Sequence, residues 1–598
     1  MLDLLPKQFF LLDPLAIFFL AVIAIVSIPS AIFSTGYMAR DTPKKKVFGW
    51  ALLVAFVLSM CLVVVSGNLF SFLIFWELMS LSSYFFVVFD SKHERSIRAG
   101  TIYLIMTHAG TACLMAAFFM LYNYSHSFDY AALKQVAALL PPRVANIIFL
   151  FLFIGFATKA GVVPLHIWLP YAHPQAPSHI SSIMSGVMIK IAIYGMIRFF
   201  VTTLGPGPAW WGAIILVFGM ISCLVGVIYA LMDHDLKRLL AYHSVENIGI
   251  ILLGIGAGMF FNSLGIGAVA ALGICAGLYH LINHAAFKGL LFLCSGSVYK
   301  ATGTRNIEKL GGLIKTMPAT AVFFLIGAMG ISAIPPLNGF VSELLTFQVF
   351  FSGILHSQGA VKLFMVLATS ALALTSGLAA ACFVKAFGIT FLALPRGSRA
   401  QEAKEAGFSM KAGMALMAVT VVLLGIGAGY VAPLILNISQ AALSIEGTGN
   451  SFYLISALPP LIAIALLVLG AAAFLWFRFG LRRKRVQYDT WDCGYYELDS
   501  RNEYTATAFS KPFRIAFSFF LLPYRKSEKI RDSFYHVRKF TYETYTTPVF
   551  KKYFYKPLVR LIYSAAFKLR KLQPGSIHLY LLYIFVTLVG LLLIIPLF

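Results

Sequence analysis

His280-Leu281-Ile282-Asn283-His284-Ala285-Ala286-Phe287-Lys288 lies inside one long apolar run, 267–297. Its three ionisable residues recur every four positions, which on an α-helix puts them on one face with about 6 Å of rise between neighbours. Two histidines and a lysine on one stripe of a membrane helix are costly unless the stripe faces protein or water. A lone histidine there can be a packed hydrogen-bond partner and nothing more. The recurrence, together with charges in neighbouring apolar runs, favours a chain of groups that hand protons along. Histidine titrates near neutrality, and desolvation can bring lysines into the same range.

The surrounding chain fits that setting. Of its 598 residues, 60% are hydrophobic and 12% charged, against roughly 25% charged in soluble domains. Fourteen apolar spans are expected, near 9–32, 47–68, 69–89, 99–122, 145–171, 178–202, 209–232, 236–258, 267–297, 318–356, 362–394, 412–438, 453–478 and 576–597. Most reach the ~20 residues that cross a bilayer. The expected fold class is an all-α polytopic membrane protein. The first run is too long for a cleavable signal peptide. Basic clusters fall on alternate connections: Arg40 with Lys44–Lys46, Lys92 with Arg95 and Arg98, Lys237 with Arg238, Lys300 with Arg305 and Lys309, Arg396 with Arg399, and Arg482–Arg485. These face the cytoplasm by the positive-inside rule, with both termini outside.

Two spans are interrupted, at Lys159-Ala160-Gly161-Val162-Val163-Pro164 and at Ile334-Pro335-Pro336-Leu337-Asn338-Gly339-Phe340. Pro164, Pro335 and Pro336 remove helix hydrogen bonds at membrane depth, which is tolerated only where protein or water satisfies the freed groups. A pair of broken helices in corresponding halves suggests inverted repeats. A transmembrane core is expected over 1–440, a further membrane helix over 441–479, a basic segment over 480–575 and a last helix over 576–598. Residues 478–571 hold 21 of the basic residues against 8 acidic ones, about half of the net charge of +24. In a membrane protein that excess points to anionic phospholipid rather than nucleic acid. Ile530, Phe534 and Val537 keep helical spacing, so amphipathic interfacial helices are expected there.

The seven cysteines form no CxxC pair, and all but Cys493 lie in apolar runs. No iron–sulfur cluster or zinc site is expected in this chain. His280 and His284 have a metal-binding spacing, but Leu281 breaks the HExxH pattern, and no nucleotide-binding fingerprint is present. What stands out is ionisable residues inside spans: Glu77, Lys159, Lys190, His243, Glu246, His280, His284, Lys288, Glu343 and Lys385. Glu77 needs a proton or a cation, and Lys159 is the expected partner; such a pair can act as a switch or simply fix helix packing. Ten buried charges of mixed sign suggest a polar axis through the bundle.

These residues carry a resemblance. Trp76-Glu77-Leu78, Lys159 through Pro164, Pro164-Leu165-His166-Ile167-Trp168-Leu169-Pro170, Asp235 through Tyr242, His284 through Lys288 and Pro335 through Glu343 resemble the antiporter-like proton-translocating subunits of complex I, Mrp-type cation/proton antiporters and membrane-bound hydrogenases. The resemblance implies that Glu77 and Lys159 form a Glu–Lys pair. It makes Lys190 a relay toward His280, His284 and Lys288, and Glu343 the terminal charge.

A narrower similarity, to the hydrogenase 4 and formate hydrogenlyase group, rests on Ala172 through His179, Ala241 through Gly249, Thr490 through Tyr495 and Glu503 through Phe509. It implies partner membrane subunits, hydrogenase large and small subunits with a nickel–iron centre, and iron–sulfur proteins. This chain would hold no cofactor and catalyse no bond chemistry alone. Its first span looks like the family's third helix, so two peripheral helices would come from a neighbouring short subunit, or the complex would be a divergent one. The rival expectations are a sodium/proton antiporter subunit and a purely structural membrane anchor.

Overall fold

The computed structural model describes residues 9–91, 93–445, 453–480, 491, 493–495, 497–500, 502–532, 537–547, 549–570 and 575–594. Lys92, Arg482–Arg485, Thr490, Asp492, Phe534 and Pro548 lie outside the described residues. Thirteen helices among the described residues are long and apolar enough to cross a membrane. One falls in each of the first 13 expected spans; the last expected span holds the shorter helix Ile577–Leu593. The chain is a multi-pass helical membrane protein.

Helix starts follow local chemistry more closely than hydropathy. The first span runs Pro14–Tyr37 rather than 9–32. Asp13 caps it by accepting the Ala16 N–H at 2.8 Å, with Pro14 in the first turn, where its missing N–H costs nothing. Asp13 also receives both Arg198 terminal nitrogens, at 2.6 and 2.9 Å. Burial alone would push the Asp13 carboxyl up, but these bonds, the Arg198 charge and the Ala16 N–H hold it below the ordinary carboxylate range. A depressed carboxylate stabilises the fold fully above its ordinary pKa and loses that contribution as pH falls through the lowered value. Asp13→Ala leaves Arg198 buried and unpaired. Because Asp13 is 29% exposed, the expected loss is about 2 kcal/mol, below that of a fully buried pair. Thermal unfolding in detergent at neutral pH, with the gap to wild type closing in acid, checks this.

Helices Ser178–Thr203 and Leu236–Ser263 are buried over 100% of their apolar windows, and Gly267–Thr302 over 89%. These three form the centre, and the outer helices wrap them. Close approach among them depends on glycine. Gly212, Gly219 and Gly226, spaced by seven on Ala209–Met232, meet Phe260, Gly249 and Glu246. A Cβ on Gly226 would lie 2.5 Å from the Glu246 backbone nitrogen, and one on Gly249 2.5 Å from that of Cys223. On another face of Leu236–Ser263, Gly254 and Gly258 meet Gly277, Gly273 and Ile274. Small residues let backbones touch in lipid, where no hydrophobic effect drives helices together.

Both expected breaks are present. Helix Pro142–Ala160 ends at left-handed Gly161, and the chain resumes helix at Leu169. Trp168 Nε1 satisfies the Thr158 carbonyl at 2.8 Å, and Ser222 Oγ accepts the Val163 N–H at 3.1 Å. The second break separates Pro318–Ile331 from Asn338–His356. Val163–Pro164 and Pro335–Pro336 are cis. A third break was not expected: span 412–438 consists of Phe408–Ile426 and Ala428–Leu443, parted at Gly427. It forms against the second break, for a Cβ on Gly425 would sit 2.4 Å from the Pro336 carbonyl oxygen.

The described basic clusters share one end of the bundle. Arg40, Lys45, Arg95, Lys237, Lys300 and Arg305 line one cavity of about 720 Å³, as the alternation of connections requires.

The chain divides into Met1–Phe513 and Arg514–Phe598, so the division falls inside the expected segment 480–575, not at its start. Glu503 through Phe513 belongs to the first unit, bonded to its loops. In the second unit, the helix expected through Ile530 and Val537 is replaced by an antiparallel hairpin, Pro523–Arg531 with Val537–Thr546. The reason is composition: Val537, Phe540, Thr541, Tyr542, Thr544, Tyr545 and Thr546 are β-branched or aromatic and favour strands. The same unit contains the helices Lys556–Arg570 and Ile577–Ile594.

Candidate functional site

Helix Gly267–Thr302 carries His280, His284 and Lys288 on one face, all buried. Between them Asn283 ties this helix to the second break. Its Nδ2 donates to the Asn338 carbonyl at 2.7 Å, and Asn338 Nδ2 donates back to the Asn283 carbonyl at 3.4 Å. The break thus brings Ser342, one turn on, against His280. His280 Nδ1 lies 2.9 Å from Ser342 Oγ and Nε2 lies 3.1 Å from Asn247 Oδ1. With the proton on Nε2, the ring donates to Asn247 and accepts from Ser342, so one tautomer satisfies both.

Asn247 belongs to Leu236–Ser263, where His243 and Glu246 are bonded to each other. Its Nδ2 donates to the His243 carbonyl at 2.8 Å and to Glu246 at 3.3 Å. An amide has no readily lost proton, so Asn247 orients its neighbours rather than carrying charge. The His243 ring stands 4.7 Å from that of Phe383, centre to centre.

Lys288 Nζ and both ring nitrogens of His284 have no hydrogen-bond partner among the described residues. Lys288 interacts electrostatically with Glu246 and Lys190, and His284 with Lys190, Lys288, His280 and His243. Buried polar groups without protein partners are the usual places for internal water. Lys190 follows a π-helical turn, Met184–Met188, and donates to the Ser185 carbonyl inside it. Such turns disturb the helix ladder and recur at functional sites. Ser185 Oγ in turn lies 2.7 Å from Ser244 Oγ.

The other members are more peripheral. The contact pair expected between Glu77 and Lys159 is not formed. Lys159 donates to Ser80 Oγ at 2.8 Å and to Tyr103 OH at 3.0 Å, with Trp76 and Tyr103 rings 5.7 and 5.3 Å from its nitrogen. Glu77 accepts from Thr111 at 2.6 Å, stands 3.6 Å from His108 and is 30% exposed. The Thr111 hydroxyl holds the carboxylate, while hydroxyls and rings solvate the lysine; the two interact at longer range. Glu343 accepts from Ser376. Lys385 is not in mid-span company: it donates to the Leu231 and Asp233 carbonyls at 2.6 and 2.8 Å, at the end of Ala209–Met232.

Sequence reading did not single out Ser80, Tyr103, Asn247, Asn283 or Ser342. The signal available was proximity in sequence: Asn247 follows Glu246, Asn283 sits within the His–His–Lys stripe and Ser342 precedes Glu343. Among the described residues no group of three or more His, Cys, Asp or Glu side chains could hold a metal ion. The arrangement instead offers titratable groups and hydroxyls at close intervals in a low-dielectric interior.

Comparison with known proteins matches this geometry to a family. Residues 66–375 match the model described as NADH:quinone oxidoreductase/Mrp antiporter, transmembrane, and residues 8–48 that for the N-terminus of complex I chain 5. The chain is 38% identical to hydrogenase-4 component B of Escherichia coli, across 97% of this chain and 88% of that protein. It is 36% identical to formate hydrogenlyase subunit 3 of the same organism, across 76% and 72%. Its fold is that of a chain in the archaeal membrane-bound sulfane sulfur reductase, with TM-score 0.78, 24% identity and coverage of 98% and 89%. With 310 residues inside one family model and a relative matched over nearly its whole length, the chain belongs to the NADH:quinone oxidoreductase/Mrp antiporter transmembrane family.

Proposed function

We propose that this chain is a proton-translocating membrane subunit of a complex-I-related assembly of the hydrogenase 4 or formate hydrogenlyase type. The observation that carries the reading is the buried series His243–Glu246, Asn247, His280 and Ser342, flanked by Lys288 and His284, whose nitrogens have no hydrogen-bond partner among the described residues. Protons would pass among Lys190, His284, Lys288, His280, His243 and Glu246. Glu77 with Lys159, and Glu343 with Lys385, would form its outer members. Internal water would bridge the gaps that Asn247 orients but does not carry across. Such a path runs only when driven, since one charge across the membrane is worth about 2.3 kcal/mol per 100 mV. The nickel–iron centre and the iron–sulfur clusters that supply the drive would sit in partner subunits. The likeness to hydrogenase-4 component B, which runs across 97% of this chain, supports this reading over a freestanding sodium/proton exchanger.

Purification of the tagged chain from mild detergent, with mass spectrometry of what comes with it, tests the partner assignment. A nickel–iron large subunit with iron–sulfur proteins is expected. Small antiporter subunits without a metalloprotein would overturn it.

The same complex in vesicles tests the outer path. Tyr103→Phe keeps the ring but removes one of the two Lys159 acceptors. Proton uptake per turnover is expected to fall several-fold with assembly unchanged, whereas Lys159→Ala abolishes it.

A further inference from the structure

The stretch Glu503 to Ser510 is fastened over the end of the polar axis by three separate contacts. Glu503 accepts the Leu394 N–H at 2.8 Å and Arg396 at 3.4 Å, while Arg396 also donates to the Tyr504 carbonyl at 3.2 Å. Glu308, on the connection after Gly267–Thr302, caps the helix that begins at Ala506. It accepts the Ala506 and Thr507 N–H groups at 3.3 and 2.7 Å and the Thr507 hydroxyl at 2.6 Å. A carboxylate there answers both the free N–H groups and the positive end of the helix.

The third contact reaches inside. Ser510 is 2% exposed, and its hydroxyl donates to the Leu231 carbonyl at 2.8 Å. Lys385 Nζ donates to that same oxygen at 2.6 Å. The last carbonyls of a helix have no partner within it and carry its negative end, which suits an ammonium and a hydroxyl together. Lys385, 1% exposed, interacts electrostatically with His243, Asp233 and Glu308. From Ser510 the line therefore runs through one carbonyl to Lys385, and on to the His243–Glu246 pair.

We propose that Glu503–Ser510 is a latch: Ser510, held by the Glu308 cap, positions Lys385 and closes the axis at that end, and its release opens Lys385 to water. Ser510 and Glu308 are positioning residues, for neither lies on the axis. The part concerning proton movement rests on the reading of the axis as a proton path; the latch itself does not.

The test uses the whole complex. In detergent, brief acetylation with an N-hydroxysuccinimide ester, followed by mass spectrometry of the peptide holding Lys385, reads the latch directly. Ser510→Ala and Glu308→Gln are expected to raise labelling of Lys385 several-fold, and Ser510→Thr to restore the wild-type level. In vesicles with reduced methyl viologen as donor, Ser510→Ala lowers proton uptake per turnover several-fold, and Ser510→Thr recovers it. Unchanged labelling in both Ser510→Ala and Glu308→Gln overturns the latch, whatever happens to transport. Raised labelling with undiminished uptake overturns its role in proton movement. Undiminished uptake in Lys288→Ala overturns the path reading, while the labelling result continues to decide the latch. Glu308→Gln keeps the shape of the cap, so the labelling test stands even where Ser510→Ala does not assemble.

Discussion

Lys288→Ala is expected to lower proton uptake by the assembled complex about 10²-fold or more, the range over which a positioned proton-transfer group acts. Lys288 is fully buried and has no hydrogen-bond partner among the described residues, so truncation breaks no hydrogen bond among them. It removes a charge that is costly to bury and leaves a small void. The two effects oppose, and thermal stability is expected to change by less than about 2 kcal/mol. The informative companion is Lys288→Arg. Arginine keeps the positive charge but does not release its proton in proteins. If Lys288 merely supplies a fixed charge to Glu246, arginine serves. If it passes protons, arginine blocks the path as alanine does. Vesicle acidification with a pH-sensitive dye separates the two, and recovery of uptake in Lys288→Arg would remove Lys288 from the path.

Gly226→Leu is expected to have the largest effect among substitutions away from the charged groups. Its added Cβ alone meets the Glu246 backbone nitrogen, Cα and Cβ at 2.5 to 2.9 Å. Two of these atoms are backbone and the third is Cβ, so no rotamer change relieves the contacts. Overpacking a close contact costs typically about 1–3 kcal/mol, and here the strain is applied at the residue that pairs with His243. Both the melting temperature and proton uptake should fall. Gly470→Leu is the control, because a Cβ there meets nothing within 4 Å. Equal melting temperatures for the two variants would contradict the packing described for Ala209–Met232 and Leu236–Ser263.

The helices were legible because lipid imposes long apolar runs and loops carry the basic residues. The two proline breaks were legible for a local reason: Pro164 and the Pro335–Pro336 pair cannot continue a helix ladder. The Gly427 break was not, since glycine is common in membrane helices and its cause lies across the chain at Pro336. The charged members of the axis stood out by rarity. Their partners did not. Ser80 and Ser342 are of a residue type that also bonds within its own helix, and only packing shows that Tyr103 rather than Glu77 touches Lys159. Lys385 reads in the sequence as one more buried charge of the axis, yet its place at the end of Ala209–Met232 follows from a pairing 154 residues apart. The hairpin at Pro523–Arg531 was missed because three residues at helical spacing outweighed the β-branched and aromatic content that followed.

The central claim is that turnover moves protons beyond those that chemistry consumes. The most direct measurement is the ratio of protons taken up to electrons transferred, in sealed vesicles holding the whole complex, with and without a protonophore. The expected result is an uptake larger than the redox reaction requires, lost when the protonophore is added and absent in Lys288→Ala. An uptake equal to chemical consumption in the wild type, unchanged by protonophore and by Lys288→Ala, would contradict a proton path through this chain.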